Sequence, residues 1–411
     1  MPRLVAIDLA RFLALIGMMA AHLLVGFNEG GWLELATAGF PSTLFAVLGG
    51  FGVVFSTRRY LSHGLIGRAI VGGLTRGAIV AIIGLLMEFL PEHPIAVILV
   101  YYGIAIMVAS FLVLIPQLPL FALLIVASVI SPLLNFWVAG ATEEFASAGT
   151  LDYSGPGQFL VTTLFTGTYP ALTWSIYLGF GIVLARAILN SDNRPRTALT
   201  WGGAAAGVWV VAEVVSRMQI SRVAEDLATQ GYGGIEEITE SLQGSSFGTP
   251  YFGGWDALLI ASPHSGSTTD IMRTGGASIV VICILILACS RMTNTPGLLK
   301  PVAKVGATPL TSYVLHIVMT AYALAALGEP MYGGDYGRIY SMLSIAFWWQ
   351  LAVILALGII LTVINRRGPL ETLVSWTSKS IAAMVPAKTA QATQVAGGTD
   401  SLQFDSNGGN T

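Results

Sequence analysis

The amino-acid sequence predicts an all-α, polytopic integral membrane protein of about ten transmembrane helices, with both termini in the cytoplasm. Three observations lead there. Of the 411 residues, 54% are hydrophobic and 10% are charged, whereas soluble domains carry about a quarter charged residues. Apolar runs recur along the chain at the length a bilayer requires, about 20 residues for a hydrocarbon core of roughly 30 Å. Lysines and arginines fall on alternate loops, as the positive-inside rule requires of an even number of spans.

Spans are expected near 4–26, 40–57, 68–89, 94–114, 117–138, 168–188, 197–217, 272–290, 303–326 and 341–365. The first has the length of a secretory signal core. Asp8 and Arg11 lie within its helical run and further spans follow, so it reads as a retained helix. The stretch from Gln158 to Ile188 is too long for one simple helix. Gly167 and Pro170 interrupt it, and a short re-entrant or interfacial piece is expected before the sixth span. Arg58, Arg59, Arg186, Arg194, Lys300, Lys304, Arg366 and Arg367 share one side, and Glu143, Glu144, Glu225, Asp226, Glu236 and Glu237 the other. That asymmetry places the protein in the plasma (cytoplasmic) membrane as a multi-pass protein. Residues 1–368 are expected to form the transmembrane domain, with an outer loop at 219–269 that either covers a site or supplies an interfacial aromatic belt. Residues 369–386 suit an amphipathic helix on the cytoplasmic face, and 388–411 a disordered polar tail. Cys283 and Cys289 sit in one apolar run, with no disulfide framework and no metal-ligand spacing. No basic stretch with interleaved aromatics points to nucleic acid.

Ionisable residues inside spans are costly and usually functional. The first span carries Asp8, Arg11 and His22 on one stripe, because three- and eleven-residue spacings both return to nearly the same helix face. The alternative is a set of buried groups that lock helices together. Arg76 enters the third span to about the depth of Arg11 by the helical rise of about 1.5 Å per residue. Two buried guanidiniums at one depth call for an anion, so Arg11 and Arg76, with Asp8 orienting, form a candidate pocket for phosphate; snorkelling of Arg76 is the competing reading. His316 lies mid-span after Ser312 and Tyr313, and either a site role or a structural hydrogen bond accounts for it. His264 occupies an outer Ser-Pro-His-Ser-Gly turn as a possible second site histidine, while His93 and His63 read as solvated. Glu88 and Glu213 end their spans near the depth of His22, where either carboxylate would orient an imidazole.

The opening Ile7-Asp8-Leu9-Ala10-Arg11-Phe12-Leu13-Ala14-Leu15, followed by His22, resembles that of membrane acyltransferases: the acyltransferase-3, heparan-alpha-glucosaminide N-acetyltransferase-like and DUF418 (YeiB-like) groups. Pro94 to Leu99 with Tyr101-Tyr102, Thr168-Tyr169-Pro170 with Trp174, Pro263-His264-Ser265-Gly266, Tyr313-Val314-Leu315-His316 and Gly368-Pro369-Leu370-Glu371 look like actinobacterial members of the last group. The resemblance spans residues 4–375 and departs from the acyltransferase-3 opening at Phe12, where Gly is usual. It implies an acetyl-CoA-dependent, membrane-bound O-acyltransferase. Cytoplasmic acyl-CoA, usually acetyl-CoA, is the donor, and a hydroxyl of a cell-envelope sugar or glycolipid beyond the membrane is the acceptor. A trehalose mycolate-type glycolipid is one such acceptor in a mycolate-making host. By that resemblance His22 is the general base or acyl carrier and Arg11 its paired arginine. His316 and Glu88 are its catalytic candidates, and His264, Trp255 and Tyr169 its candidates for acceptor contact. A lipid flippase or proton-coupled transporter, with Arg11, His22 and His316 as a path, is the rival expectation.

Overall fold

The computed structural model describes residues 4–25, 32–90, 97–142, 151, 154–248, 250, 254–292, 295–327 and 336–386. The expected tail at 388–411, His93 and the loop aromatics Tyr251 and Phe252 lie outside the described residues. All regular structure among the described residues is helical. α1 (Val5–Ala20) continues into a π turn (Ala21–Val25) and is followed by the short α2 (Trp32–Thr37). Then come α3 (Phe40–Ser62), α4 (Ile66–Met87), α5 (Leu99–Leu112) and α6 (Gln117–Ala141). α7 (Pro156–Val161) leads through a second π turn (Thr162–Thr166) to α8 (Ala171–Leu189) and α9 (Arg194–Thr229). α10 (Ile235–Gln243) and α11 (Trp255–Leu258) precede α12 (Thr268–Cys289), α13 (Leu299–Gly306), α14 (Pro309–Leu327), α15 (Tyr336–Val363) and α16 (Pro369–Met384).

Among the described residues nine helices are long and apolar enough to cross a bilayer: α1, α3, α4, α6, α8, α9, α12, α14 and α15. The remaining expected span, near 94–114, corresponds to the shorter apolar α5. The chain is thus a multi-pass membrane protein. In lipid, close helix approach rests on small residues and van der Waals contact. α3 meets α8 where Gly50 faces the backbone of Leu178 to Ile182, and Gly181 faces the Val47 carbonyl. α4 and α5 cross at Gly77 and Gly103, each against the other's carbonyl oxygen. A methyl group at any of these four positions would drive two helix backbones apart.

The interruption expected between Gln158 and Ile188 is present. The Thr162 hydroxyl donates to the Gln158 carbonyl at 3.1 Å and Thr163 to that of Phe159 at 2.6 Å, within the π turn. Gly167 then turns extended, and α8 restarts after Pro170, which has no N–H to continue a ladder. Gly248, at φ +81°, presses its backbone onto the Gly167 carbonyl, a fit that no L side chain would permit.

Two expectations change. The span drawn at 303–326 is divided into α13 and α14, because Pro309 disfavours helix for the residue before it. The segment at 219–269, expected as an outer loop, is about half helical and folds back on itself. α9 has 36 residues, about 54 Å at the helical rise, well beyond the hydrocarbon thickness. Its far end carries Ile220 and Ala224, one turn apart. Ile238 and Leu242 of α10, likewise one turn apart, fold back onto them together with Ile260. The amphipathic helix expected at 369–386 is α16. Its Glu371 carboxylate accepts from the Leu310 N–H at 2.7 Å, the Thr311 N–H at 3.1 Å and the Thr311 hydroxyl at 2.6 Å, capping the N-terminus of α14.

Candidate functional site

His22 and His316 meet where the first span ends, although 294 residues separate them in sequence. His22 stands in the π turn that ends the first span, and π turns recur at functional positions. Its Nδ1 lies 3.0 Å from His316 Nε2, with the rings 5.3 Å apart and 5° from parallel. His316 Nδ1 lies 2.6 Å from Gln350 Oε1, and Gln350 Nε2 donates to the Thr320 hydroxyl at 3.1 Å. These contacts assign the protons. An amide oxygen only accepts, so His316 Nδ1 carries its hydrogen and, in the neutral ring, His316 Nε2 is an acceptor. His22 Nδ1 must then donate to it, which leaves His22 Nε2 as the lone-pair nitrogen. A proton taken up there gives an imidazolium whose Nδ1–H already points at His316. The hydrogen bonds thus leave one defined atom of the pair, His22 Nε2, with a lone pair to offer.

The second cluster lies nearer the start of α1. Asp8 Oδ1 is 3.6 Å from Arg11 Nη1. Arg76 of α4 and Tyr102 of α5 lie within electrostatic reach of Arg11 and of each other. The face of α3 toward them is cut down to glycine. Tyr102 Oη packs against Gly49, and a Cβ on Gly52 would sit 3.8 Å from Arg11 Nη2. Among the described residues no carboxylate is ion-paired with Arg76, so the two guanidiniums outnumber the one acid beside them. Such a site suits an anion with several oxygens, since planar guanidinium forks bind phosphate bidentately.

A row of aromatic rings runs from this cluster toward the turn that carries His264. Tyr102 meets Trp174 at 6.5 Å, Trp174 meets Tyr169 at 5.4 Å, and Tyr169 meets His264 at 5.5 Å, all edge to face. Phe247 stacks on the other face of His264 at 5.3 Å. His264 adopts φ +64°, a left-handed conformation uncommon outside glycine, and lies within electrostatic reach of His22. Burial, with Arg273 next, lowers its pKa from 6.5 to about 4, so its ring is neutral at physiological pH. Tyr169, Trp174, His264 and Asp270 line a small chamber of about 20 Å³. Asp270 accepts from the Gly266 N–H at 3.2 Å through Oδ2, while its buried Oδ1 has no hydrogen-bond partner among the described residues. That oxygen is an acceptor available to a donor inside the chamber.

Among the residues expected from sequence, the structure brings together Asp8, Arg11 and Arg76, then His22 with His316, and then His264 with Tyr169. It does not bring Glu88 or Glu213 to His22. Glu88 caps the C-terminal end of α4, and Glu213 pairs with Arg217 at 2.7 Å and Arg273 at 3.8 Å. The partner of His22 is a second imidazole. Trp255, 71% exposed at the start of α11, stands outside the chamber that Tyr169 and His264 line. Sequence reasoning passed over Gln350, whose signal was a lone amide in an otherwise apolar span, and Tyr102, quoted only as part of a motif. It also passed over Asp270 and Arg273, two opposite charges in the first turns of α12.

The fold and its buried ionisable groups define a multi-pass membrane protein with an internal polar site. Residues 256–380 match the family model described as "Protein of unknown function (DUF418)". The matched stretch carries His264, Asp270, His316, Gln350 and Glu371. No curated protein matches the chain.

Proposed function

We propose that this protein is a plasma-membrane O-acyltransferase. It moves an acyl group, acetyl in the first instance, from cytoplasmic acyl-CoA to a hydroxyl of a cell-envelope sugar or glycolipid on the opposite face. In this reading α5 is a tenth span and both termini are cytoplasmic. The observation that carries the proposal is the continuity of the site. Two guanidiniums gather beside the first half of α1, a hydrogen-bonded histidine pair sits at its far end, and an aromatic row joins the first cluster to His264, within electrostatic reach of that pair.

Arg11 and Arg76 hold the CoA phosphates, and Asp8 orients Arg11. The thioester arm threads toward His22. His22 Nε2 takes the proton of the acceptor hydroxyl as its oxygen attacks the thioester carbonyl. The tetrahedral intermediate collapses with cleavage of the C–S bond, and the proton on His22 passes to the departing thiolate. His316 shares the positive charge through the Nδ1–H to Nε2 bond, and Gln350 holds His316 in the tautomer that allows it. Attack of His22 Nε2 itself on the thioester, giving an acyl-imidazole, uses the same geometry. His264, Tyr169 and Asp270 contact the reacting hydroxyl end of the acceptor, the part that a chamber of about 20 Å³ admits.

A proton-coupled transporter or lipid flippase is the second reading, favoured by the broken helix α7–α8, since discontinuous spans line transporter sites. One experiment separates them: acetyl transfer from labelled acetyl-CoA in membranes carrying equal amounts of wild type or His22→Ala. Label in an envelope lipid or glycan with wild type alone supports acyl transfer through His22. Equal label from both removes His22 from the chemistry, and label from neither moves the assignment to transport.

A further inference from the structure

On the far side of His316 from His22, the bundle carries a second opening. α14 and α15 part along a groove of about 360 Å³, within the size range of ligand sites, about 300–1,000 Å³. Its walls follow the helical repeat on both sides. Met319, Tyr322 and Ala323 come from α14 and Ala346, Trp349 and Gln350 from α15, each set spaced i, i+3, i+4. Both helices are membrane-spanning. Tyr322 and Trp349 are 59% and 66% exposed at the rim, and Ile345 and Trp348 beside them are 69% and 65% exposed. In a spanning helix such apolar exposure faces hydrocarbon, so the medium that fills this groove is lipid. Gln350 is the exception in composition. It is 1% exposed, lines the groove and accepts from His316 Nδ1. The groove thus ends on the residue that sets the tautomer of the histidine pair.

We infer that the groove between α14 and α15 holds one alkyl chain of a membrane lipid and that the acceptor is a lipid, presented to the histidine pair from within the bilayer. The choice of a lipid acceptor over a free sugar rests on the transfer reading above; the occupancy of the groove does not. A chain lying between Met319, Ala323 and Ala346 anchors its lipid beside Gln350 and His316, and the hydroxyl-bearing head extends past the pair to His22 Nε2. A water-soluble sugar would have no use for an apolar channel opening sideways to the membrane.

The test uses the full-length protein in liposomes of phosphatidylglycerol and phosphatidylethanolamine, doped with a phosphatidylglycerol bearing a diazirine within the first few carbons of one acyl chain. After irradiation, the crosslinked peptides are mapped. Label on 318–323 and 346–350 several-fold above the equally exposed α9 surface at Val210 and Val211 is the expected result. Ala346→Trp and, separately, Ala323→Leu should remove that excess, while Tyr322→Ala should raise it. Uniform labelling of both surfaces, in wild type and in folded variants alike, overturns the inference. In the labelled acetyl-CoA assay, the two filling variants should lose transfer to lipid several-fold, and retained lipid transfer sinks the acceptor assignment. Groove-specific crosslinking in a protein that transfers no acetyl group leaves the lipid site standing and removes the transferase reading alone.

Discussion

His264 offers a perturbation in which backbone, packing and protonation pull in directions that can be worked out separately. Its φ of +64° costs a non-glycine residue about 1–2 kcal/mol, a cost that His264→Gly removes. The same change deletes ring contacts with Phe247 and Tyr169, worth about 0.5–1.5 kcal/mol each. Near pH 7.5 these nearly offset, and the variant should melt close to wild type. Acid separates them. The folded pKa of His264 lies at about 4, below its ordinary 6.5, chiefly through burial and then through Arg273. The unfolded chain therefore takes up the proton first as pH falls. The stability that depends on this neutral ring is complete above pH 6.5 and is lost progressively down to about pH 4, by about 3 kcal/mol in all. The glycine variant has no such group. Thermal melts in detergent from pH 8 to pH 4, followed by tryptophan fluorescence, should give two curves that coincide at the alkaline end. In acid the wild type should fall away further. The other buried histidines are present in both proteins, and only the coupling of His264 to His22 fails to cancel in the difference. Parallel curves across the range would refute the placement of His264 as a neutral, sequestered ring. Should the folded glycine variant also retain full acetyl transfer, the acceptor role of His264 would fall with it.

Two further outcomes follow from the same contacts. Gln350→Leu removes the acceptor for His316 Nδ1 and should lower acetyl transfer about 10–100-fold, the range for outer-shell partners of functional histidines. Gln350→Glu keeps an acceptor and favours the charged imidazole, so its activity should be partly rescued with the acidic limb of the pH profile moved upward; an unmoved profile would make Gln350 merely structural. Arg76→Gln should raise the acetyl-CoA KM about tenfold or more, the equivalent of one charge-assisted hydrogen bond, while leaving kcat nearly unchanged. An unaltered KM would remove Arg76 from the anion site.

Much of the fold was legible in sequence because the bilayer imposes a length and a polarity on each crossing, and both are local properties. The break at Gly167 and Pro170 was legible for the same reason, since helix termination is written in one or two residues. Where the reading went astray, the signal was tertiary or averaged out. The far third of α9, from Arg217 to Thr229, is too polar to read as part of a span. It is helical because α10 folds back on Ile220 and Ala224. The division of α13 from α14 was hidden by a hydropathy window that averages across Pro309. Trp255 drew notice as an aromatic in a long outer segment, but an aromatic in such a segment is as well placed facing outward as inward.

The site divides along the same line. Asp8 and Arg11 are i, i+3 on one helix, so their pairing follows from the helical repeat alone. The repeat also puts His22 on the stripe of Arg11, and the register survives because α1 stays α-helical until Ala20 and the π turn begins one residue before His22. The partner of His22 could not be found that way. Two carboxylates at the right depth, Glu88 and Glu213, were better local candidates than a histidine 294 residues away. The choice between them is made by packing. Glu213 is drawn off by Arg217 and Arg273, and α14 is brought alongside α1 with its N-terminus capped by Glu371 from α16. A carboxylate beside His22 would hold a fixed negative charge in the low-dielectric core at a cost of several kcal/mol. A second neutral imidazole, locked by an uncharged amide, orients His22 without that cost. Packing, together with the cost of a fixed buried charge, thus favours His316 and Gln350 over a carboxylate as the partner of His22.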